Sequence, residues 1–301
     1  MRSRWKLAVA VVALIIAVAP LEPASASNHV VTKHSSPLYY VALGDSYAEG
    51  YQPGFANGSE TLHGYTNQVA PLVAKRHVLI LKNFGCGGAT SSSILLSIGC
   101  PVGALANDGV PYPTTTQAAS ALAFIATHKG KIGLITVSIG GNDFDGCGTA
   151  TVPGTCLSAA MPLMESNIET LVAELRTVAG PKVPMIATSY PDVLLGEAVA
   201  NPPNLAVAQL SLVAYSAIIT PTLTTAYATQ HVDFIDVATA TGAFTPFTQT
   251  TTLAPYGVIP VAVADVCAIT WFCTSGDVHP TATGYTKIAH LVAGQYLKLT
   301  K

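Results

Sequence analysis

Charge is scarce in this sequence. Only 10% of its 301 residues are Asp, Glu, Lys or Arg, with 14 basic against 16 acidic residues and a formal net charge of -2. Beyond Arg2, Arg4 and Lys6 there is no basic run, so nothing gathers phosphates by counterion release and no nucleic-acid partner is expected. Aromatic residues make up only 7% of the chain and form no obvious row. Metal-binding patterns are missing as well. His29, His34, His63, His77, His128, His231 and His290 are scattered without HExxH spacing, and none of the six cysteines forms a CxxC pair. No metal and no cofactor is therefore expected. What remains is half hydrophobic, with 25 Gly and 20 Pro spread along it. That excludes a disordered, collagen-like or coiled-coil chain and predicts one large domain with a generous core.

The first residues read as a targeting segment. Three basic residues precede an apolar run from Leu7 to Ala19, and Ala24, Ser25 and Ala26 then make a cleavage pattern. Residues 1–26 are expected to be a signal peptide, with one domain over 27–301. The run is shorter than the roughly 20 residues that span a bilayer, and no later segment has that unbroken apolar length. The expectation is a secreted, extracellular monomer with no stable membrane span after cleavage. Export also makes the cysteines legible, because an even count in an oxidising compartment suggests disulfides. Their connectivity is open, and local pairing is preferred: Cys86 with Cys100, Cys147 with Cys156, Cys267 with Cys273.

Short apolar runs alternate with helical patterns. Strands are predicted over Leu38–Leu43, Val78–Leu81, Ile132–Val137, Val183–Ala187 and Val232–Val237. Helices are predicted over Tyr65–Lys75, Thr116–His128, Leu157–Val178, Leu205–Thr229 and Ala282–Leu297, with Pro162 and Pro221 starting, kinking or dividing theirs. Together these imply an α/β fold with a five-stranded parallel sheet covered on both faces, and functional groups at the carboxyl ends of its strands. Residues Ala238–Ala264 show no periodicity and read either as a binding loop or lid, or as an ordered surface excursion.

Four separated segments carry chemistry. Gly44-Asp45-Ser46-Tyr47 follows the first strand, where a serine can project its hydroxyl, and its own backbone N–H faces the same space. Asn83-Phe84-Gly85-Cys86-Gly87-Gly88-Ala89-Thr90 follows the second; its glycines allow close backbone approach, and the Gly88 N–H is a candidate oxyanion donor. It lacks GxxxxGK[ST], which disfavours a phosphate loop. Gly140-Gly141-Asn142-Asp143 follows the third strand: Asn142 offers a neutral amide donor to developing negative charge, and Asp143 reads as structural. Asp277-Val278-His279-Pro280 precedes the last helix, and His279 can take the serine proton and return it to a leaving alcohol.

In this order the four blocks resemble the SGNH hydrolases, the GDSL family of esterases and lipases, and the chain is similar to their exported actinobacterial type. The resemblance implies a flavodoxin-like three-layer α/β/α sandwich. It also implies Ser46 as nucleophile, His279 as base, and an oxyanion hole made by the Ser46 N–H, the Gly88 N–H and the Asn142 side chain. Two positions depart from the pattern. Tyr47 stands where the family has Leu. The acid usually found three residues before the histidine is replaced by Gly276, with Asp277 two before it. Asp277 is taken as the triad acid, the alternative being the Gly276 carbonyl in a Ser-His dyad. A rival nucleophile, Ser138, lies in a degraded G-x-S-x-G pattern, but the glycine-rich stretch after it is a poor helix start. The expected function is a serine ester hydrolase, a lipase or carboxylesterase acting on small-molecule or lipid esters. Alternatives are an extracellular polysaccharide deacetylase and a non-catalytic binding module.

Overall fold

The computed structural model describes residues 36–54 and 63–301. The expected signal peptide and its cleavage point after Ala26 lie outside them. Strands β1 (Leu38–Gly44), β2 (Leu79–Asn83), β3 (Ile132–Ser138), β4 (Met185–Thr188) and β5 (Asp233–Ile235) form one sheet in the order β2-β1-β3-β4-β5. All four pairings are parallel. Every residue of β3 is buried. A strand covered on both faces has no wet side, which is why it reads as an unbroken apolar run.

Successive residues of β1 point to opposite faces and so divide the core in two. Val41 and Leu43 join one cluster with the helices Gln117–Thr127 and Pro153–Ala179. Tyr40 and Ala42 join the other with the helices Tyr65–Val73 and Ala282–Leu299. The result is the three-layer α/β/α arrangement. Its strand order reverses between β1 and β3, and such a reversal opens a crevice beyond the carboxyl ends of those strands.

The end of β1 is tightly constrained. Gly44 has φ +142, and a Cβ there would run into the Ser138 carbonyl, so only glycine brings β1 this close to β3 before the turn. Gln117 clamps it from the side: its Oε1 accepts from the Gly44 N–H at 2.7 Å and its Nε2 donates to the Gly44 carbonyl at 3.0 Å.

The helix predicted over Leu205–Thr229 is divided at Pro221, one of the outcomes expected of that proline: Leu205–Ala214 and Thr220–Ala228 are joined by a π turn over Tyr215–Ile219. Pro221 has no N–H to return to the preceding turn, and the helix widens just before it. Pro162, by contrast, sits inside Pro153–Ala179 without ending that helix. The same Leu205–Ala228 stretch is, by length and composition alone, apolar enough to cross a membrane, contrary to the expectation that no later segment is. Here Ala208, Ser211, Tyr215, Ile219, Leu223 and Ala226 form a buried stripe against the domain. Of the two readings of Ala238–Ala264, the ordered excursion fits the structure: the segment contains a β-hairpin, β6 (Thr250–Leu253) with β7 (Gly257–Pro260), and runs into the helix Val261–Ile269.

Gln117→Leu removes the side-chain partner of the buried Gly44 N–H, whereas the carbonyl keeps the Cys86 N–H at 3.0 Å. Urea denaturation is expected to show a loss of about 2 kcal/mol, the cost of one orphaned buried donor.

Candidate active site

Ser46 opens a short helix, Ser46–Glu49, directly beyond β1. Asp45 caps it by accepting the Tyr47 N–H at 2.9 Å. As the first helical residue, Ser46 has a backbone N–H with no intrahelical partner. Its side chain meets the other end of the chain: Ser46 Oγ lies 2.8 Å from His279 Nε2. On the far side of the ring, His279 Nδ1 lies 2.7 Å from Asp277 Oδ1, which also accepts the His279 N–H at 2.9 Å. The carboxylate opposite Nδ1 is thus Asp277, not the Gly276 carbonyl. Burial pushes the Asp277 carboxyl up, but its bonds to the His279 side chain and backbone outweigh this and hold it below the ordinary value.

Asn142 lies in a helical turn, Gly141–Phe144, after β3. Its Nδ2 donates to the Ala89 carbonyl at 2.8 Å, and an amide nitrogen with two hydrogens keeps a second for a ligand. Ser46, Asn142, Tyr47, Tyr190 and Val278 line one hollow of about 60 Å³. Gly88 is not among the residues lining it; it is exposed, adjoins Ala89, and is fixed in position through the Asn142 bond to that neighbour. Its φ of +76 is a conformation that suits glycine. Asp143 takes the structural part: its carboxylate accepts the Ser91 N–H at 2.8 Å and the Ser91 hydroxyl at 2.6 Å.

Ser138 is fully buried as the last residue of β3, with its hydroxyl 2.8 Å from Tyr65 Oη and 2.6 Å from Thr188 Oγ1. The helical turn that follows, Gly141–Phe144, shows that the glycine-rich stretch does start a helix. Burial and hydrogen bonding, not helix propensity, are what take Ser138 out of contention as a nucleophile. Cys86 is bonded to Cys100, Cys147 to Cys156 and Cys267 to Cys273. Cys156, Cys267 and Cys273 lie in helices. Among the described residues no cluster of His, Cys, Asp or Glu could hold a metal ion.

The sequence reading passed over a frame of tyrosines beneath the site. Tyr47, one of the two departures from the family pattern, donates to the Val278 carbonyl at 2.7 Å and so ties the serine turn to the histidine loop. Tyr190, at the carboxyl end of β4, packs edge-on against Tyr47 with centroids 4.8 Å apart and donates to Asp45. Tyr285 donates to the Tyr51 carbonyl at 2.8 Å, and the Tyr51 ring lies 4.3 Å from that of His279. Burial holds the Tyr47, Tyr190 and Tyr285 phenols well above their usual range, so they remain protonated donors. The signal was available in Tyr190, since it follows a buried strand at the functional end of the sheet.

Next to the hollow is a larger cavity of about 300 Å³. Phe144, Asp145, Val193 and Tyr215 line both, so the two adjoin. Its wall is mostly apolar, with Leu157, Val207, Leu210 and Ile218, and includes the disulfide-bonded Cys147.

Burial pushes the Asp45 carboxyl up to about 6, against the lowering effects of Tyr190, the Tyr47 N–H and His279. The folded protein therefore holds this proton more tightly than the unfolded chain. Stability from this group is fully present at low pH and is lost as pH rises from about 4 through about 6. Asp45→Asn is expected to remove about 3 kcal/mol of that pH dependence, read from urea midpoints across the window.

The GDSL-like lipase/acylhydrolase family model matches residues 42–287. Among solved structures, the chain is similar to an extracellular lipase from Streptomyces rimosus, at 21% identity and a TM-score of 0.50 over 86% of this chain and 98% of that one. It is also similar to a phospholipase A1 from Streptomyces albidoflavus, at 15% identity and 0.48 over 86% and 98%. A third is Est24, a carbohydrate acetylesterase from Sinorhizobium meliloti, at 13% identity and 0.48 over 87% and 99%. No curated protein matches the sequence. With a family match running from the end of β1 into the last helix, on a fold with the five-stranded parallel sheet, this chain belongs to the GDSL-like lipase/acylhydrolase family.

Proposed function

We propose that this hydrolase is a secreted lipase or carboxylesterase that cleaves acyl esters through an acyl-enzyme on Ser46. The observation that carries the reading is the continuous relay from Ser46 Oγ through His279 to Asp277. In it, His279 Nε2 takes the hydroxyl proton as Ser46 Oγ attacks the ester carbonyl. The Asp277 carboxylate holds the Nδ1 hydrogen and stabilises the imidazolium that forms. The Ser46 N–H, the Gly88 N–H and the second hydrogen of Asn142 Nδ2 are the donors assigned to the tetrahedral oxyanion. As that intermediate collapses, His279 returns the proton to the leaving alcohol. Water, activated in turn by His279, then frees the acid and restores Ser46.

The apolar cavity favours an acyl chain over an acetylated glycan. An alkyl chain displaces water from such walls at a gain of about 0.8 kcal/mol per buried methylene, whereas a sugar would lose its hydration there. Secretion is supported by the basic, apolar and small-residue order of residues 1–26 and by the three disulfides. A binding module without turnover would have no use for an imidazole paired on both ring nitrogens.

A fluorophosphonate probe is expected to label the oxidised protein at Ser46, and labelling is expected to vanish in Ser46→Ala; a probe found on another residue contradicts the assignment. Asn142→Ala is expected to lower kcat for p-nitrophenyl esters by about 100- to 1,000-fold with little change in KM. Ala214→Trp, which fills the adjoining cavity, is expected to lower kcat/KM for octanoate at least about tenfold relative to acetate. Equal losses for both would put the acyl chain elsewhere.

A further inference from the structure

Charge is segregated between the two ends of the sheet. Residues 45–74, 84–128, 139–175 and 189–286, which follow the carboxyl ends of the strands, contain no Lys or Arg. Lys75 and Arg76 come just before β2, Lys129 and Lys131 before β3, and Arg176 and Lys182 before β4, toward the opposite end. Of the other described cations, Lys82 is in β2, and Lys287, Lys298 and Lys301 are in or just after the last helix. At the functional end, the charged side chains lining the hollow and the apolar cavity are Asp45, Asp145 and Asp192. Two of them are buried, and burial raises their affinity for a proton, Asp45 to about 6 and Asp192 to about 7. Asp145 is different. It is exposed, lines both spaces, and among the described residues has no Lys, Arg or His paired with it.

We propose that Asp145 is a specificity-determining residue whose carboxylate repels negative charge on the alcohol portion of the substrate, so that the preferred substrate is an ester of an uncharged alcohol rather than one bearing a phosphate, sulfonate or carboxylate. The inference rests on the reading that Ser46 is the nucleophile and that the cavity receives the acyl chain. With the chain so placed, the alcohol departs through the hollow that Asp145 also lines. The field of Asp145 reaches that hollow: burial first, and then the charges of Asp45, Asp277 and Asp145, hold the Tyr47 phenol well above its usual range. The Tyr47 hydroxyl in turn bonds the carbonyl of Val278, next to His279. Apolar walls weaken the screening that water gives an exposed charge, and no guanidinium or ammonium stands there to receive an anion. Repulsion acts over several ångströms and needs no hydrogen bond to the substrate, so it does not depend on where the carboxylate oxygens point.

The test compares two hexanoate esters of similar shape, 3,3-dimethylbutyl and 2-sulfoethyl, the second carrying a sulfonate where the first has a tert-butyl group. In about 10 mM salt the wild-type protein is expected to prefer the uncharged ester by about tenfold or more in kcat/KM. That preference is expected to fall at least about threefold in about 0.5 M NaCl, where screening confines the field to a few ångströms. In Asp145→Asn the low-salt preference is expected to fall by about threefold or more. The intrinsic reactivities of the two esters are the same for both proteins and cancel from that comparison. If Asp145 served the fold alone, its loss would slow both esters together and leave the ratio unchanged, and that result in a folded variant overturns the inference. A wild-type ratio near one, or one that does not move with salt, also overturns it, with no need of a variant, while leaving the ester-hydrolase reading intact. A wild-type protein that hydrolyses neither ester overturns both.

Discussion

One hydrogen bond holds this account together: the 2.8 Å contact between Ser46 Oγ and His279 Nε2, made by residues 233 positions apart. For it to form, the end of β1 and the loop before the last helix must meet at fixed separation. The packing around them supplies that constraint. Gly44 lets β1 run close against β3, Gln117 clamps the strand end, and the Tyr47 hydroxyl reaches across to the Val278 carbonyl. Tyr285 pins the serine turn to the last helix through the Tyr51 carbonyl. None of these groups reacts. Their effect is to fix two loops that the chain alone leaves independent, so that the imidazole is oriented before any substrate arrives.

Much of this was legible in sequence, for an identifiable reason. β1 and β3 are buried on both faces, so their unbroken apolar runs could be read directly, as could the polar blocks at their carboxyl ends. Strand ends were less legible. β2 runs on through Lys82 to Asn83, where an apolar-run criterion stops, because Asn83 satisfies its amide on the Ala48 carbonyl at 2.8 Å. The hairpin of β6 and β7 was missed because it is largely exposed on both faces, which erases the alternation that marks a strand. The π turn before Pro221 leaves the apolar pattern of the long helix unbroken and so has no period of its own to detect.

The least legible features are tertiary. For Tyr47 the sequence shows only a position in the block where the family has Leu, not the carbonyl 231 residues away that its hydroxyl finds. Asp192 looks like any turn residue in Tyr-Pro-Asp; its character comes from a cavity assembled by segments remote in sequence. Asp45 and Asp192 are both carboxyls whose affinity for a proton is raised by burial, one beneath the candidate nucleophile and one beside the apolar cavity. The site thus sets a partly buried relay beside a low-dielectric wall.

The most direct test of the central claim is a crystal structure of the protein after reaction with a phosphonate. The account predicts phosphorus bonded to Ser46 Oγ, with its phosphoryl oxygen within hydrogen-bond reach of the Ser46 and Gly88 N–H groups and Asn142 Nδ2, and the His279 ring still paired with Asp277. Phosphorus on another residue, or a phosphoryl oxygen turned away from all three donors, would contradict it.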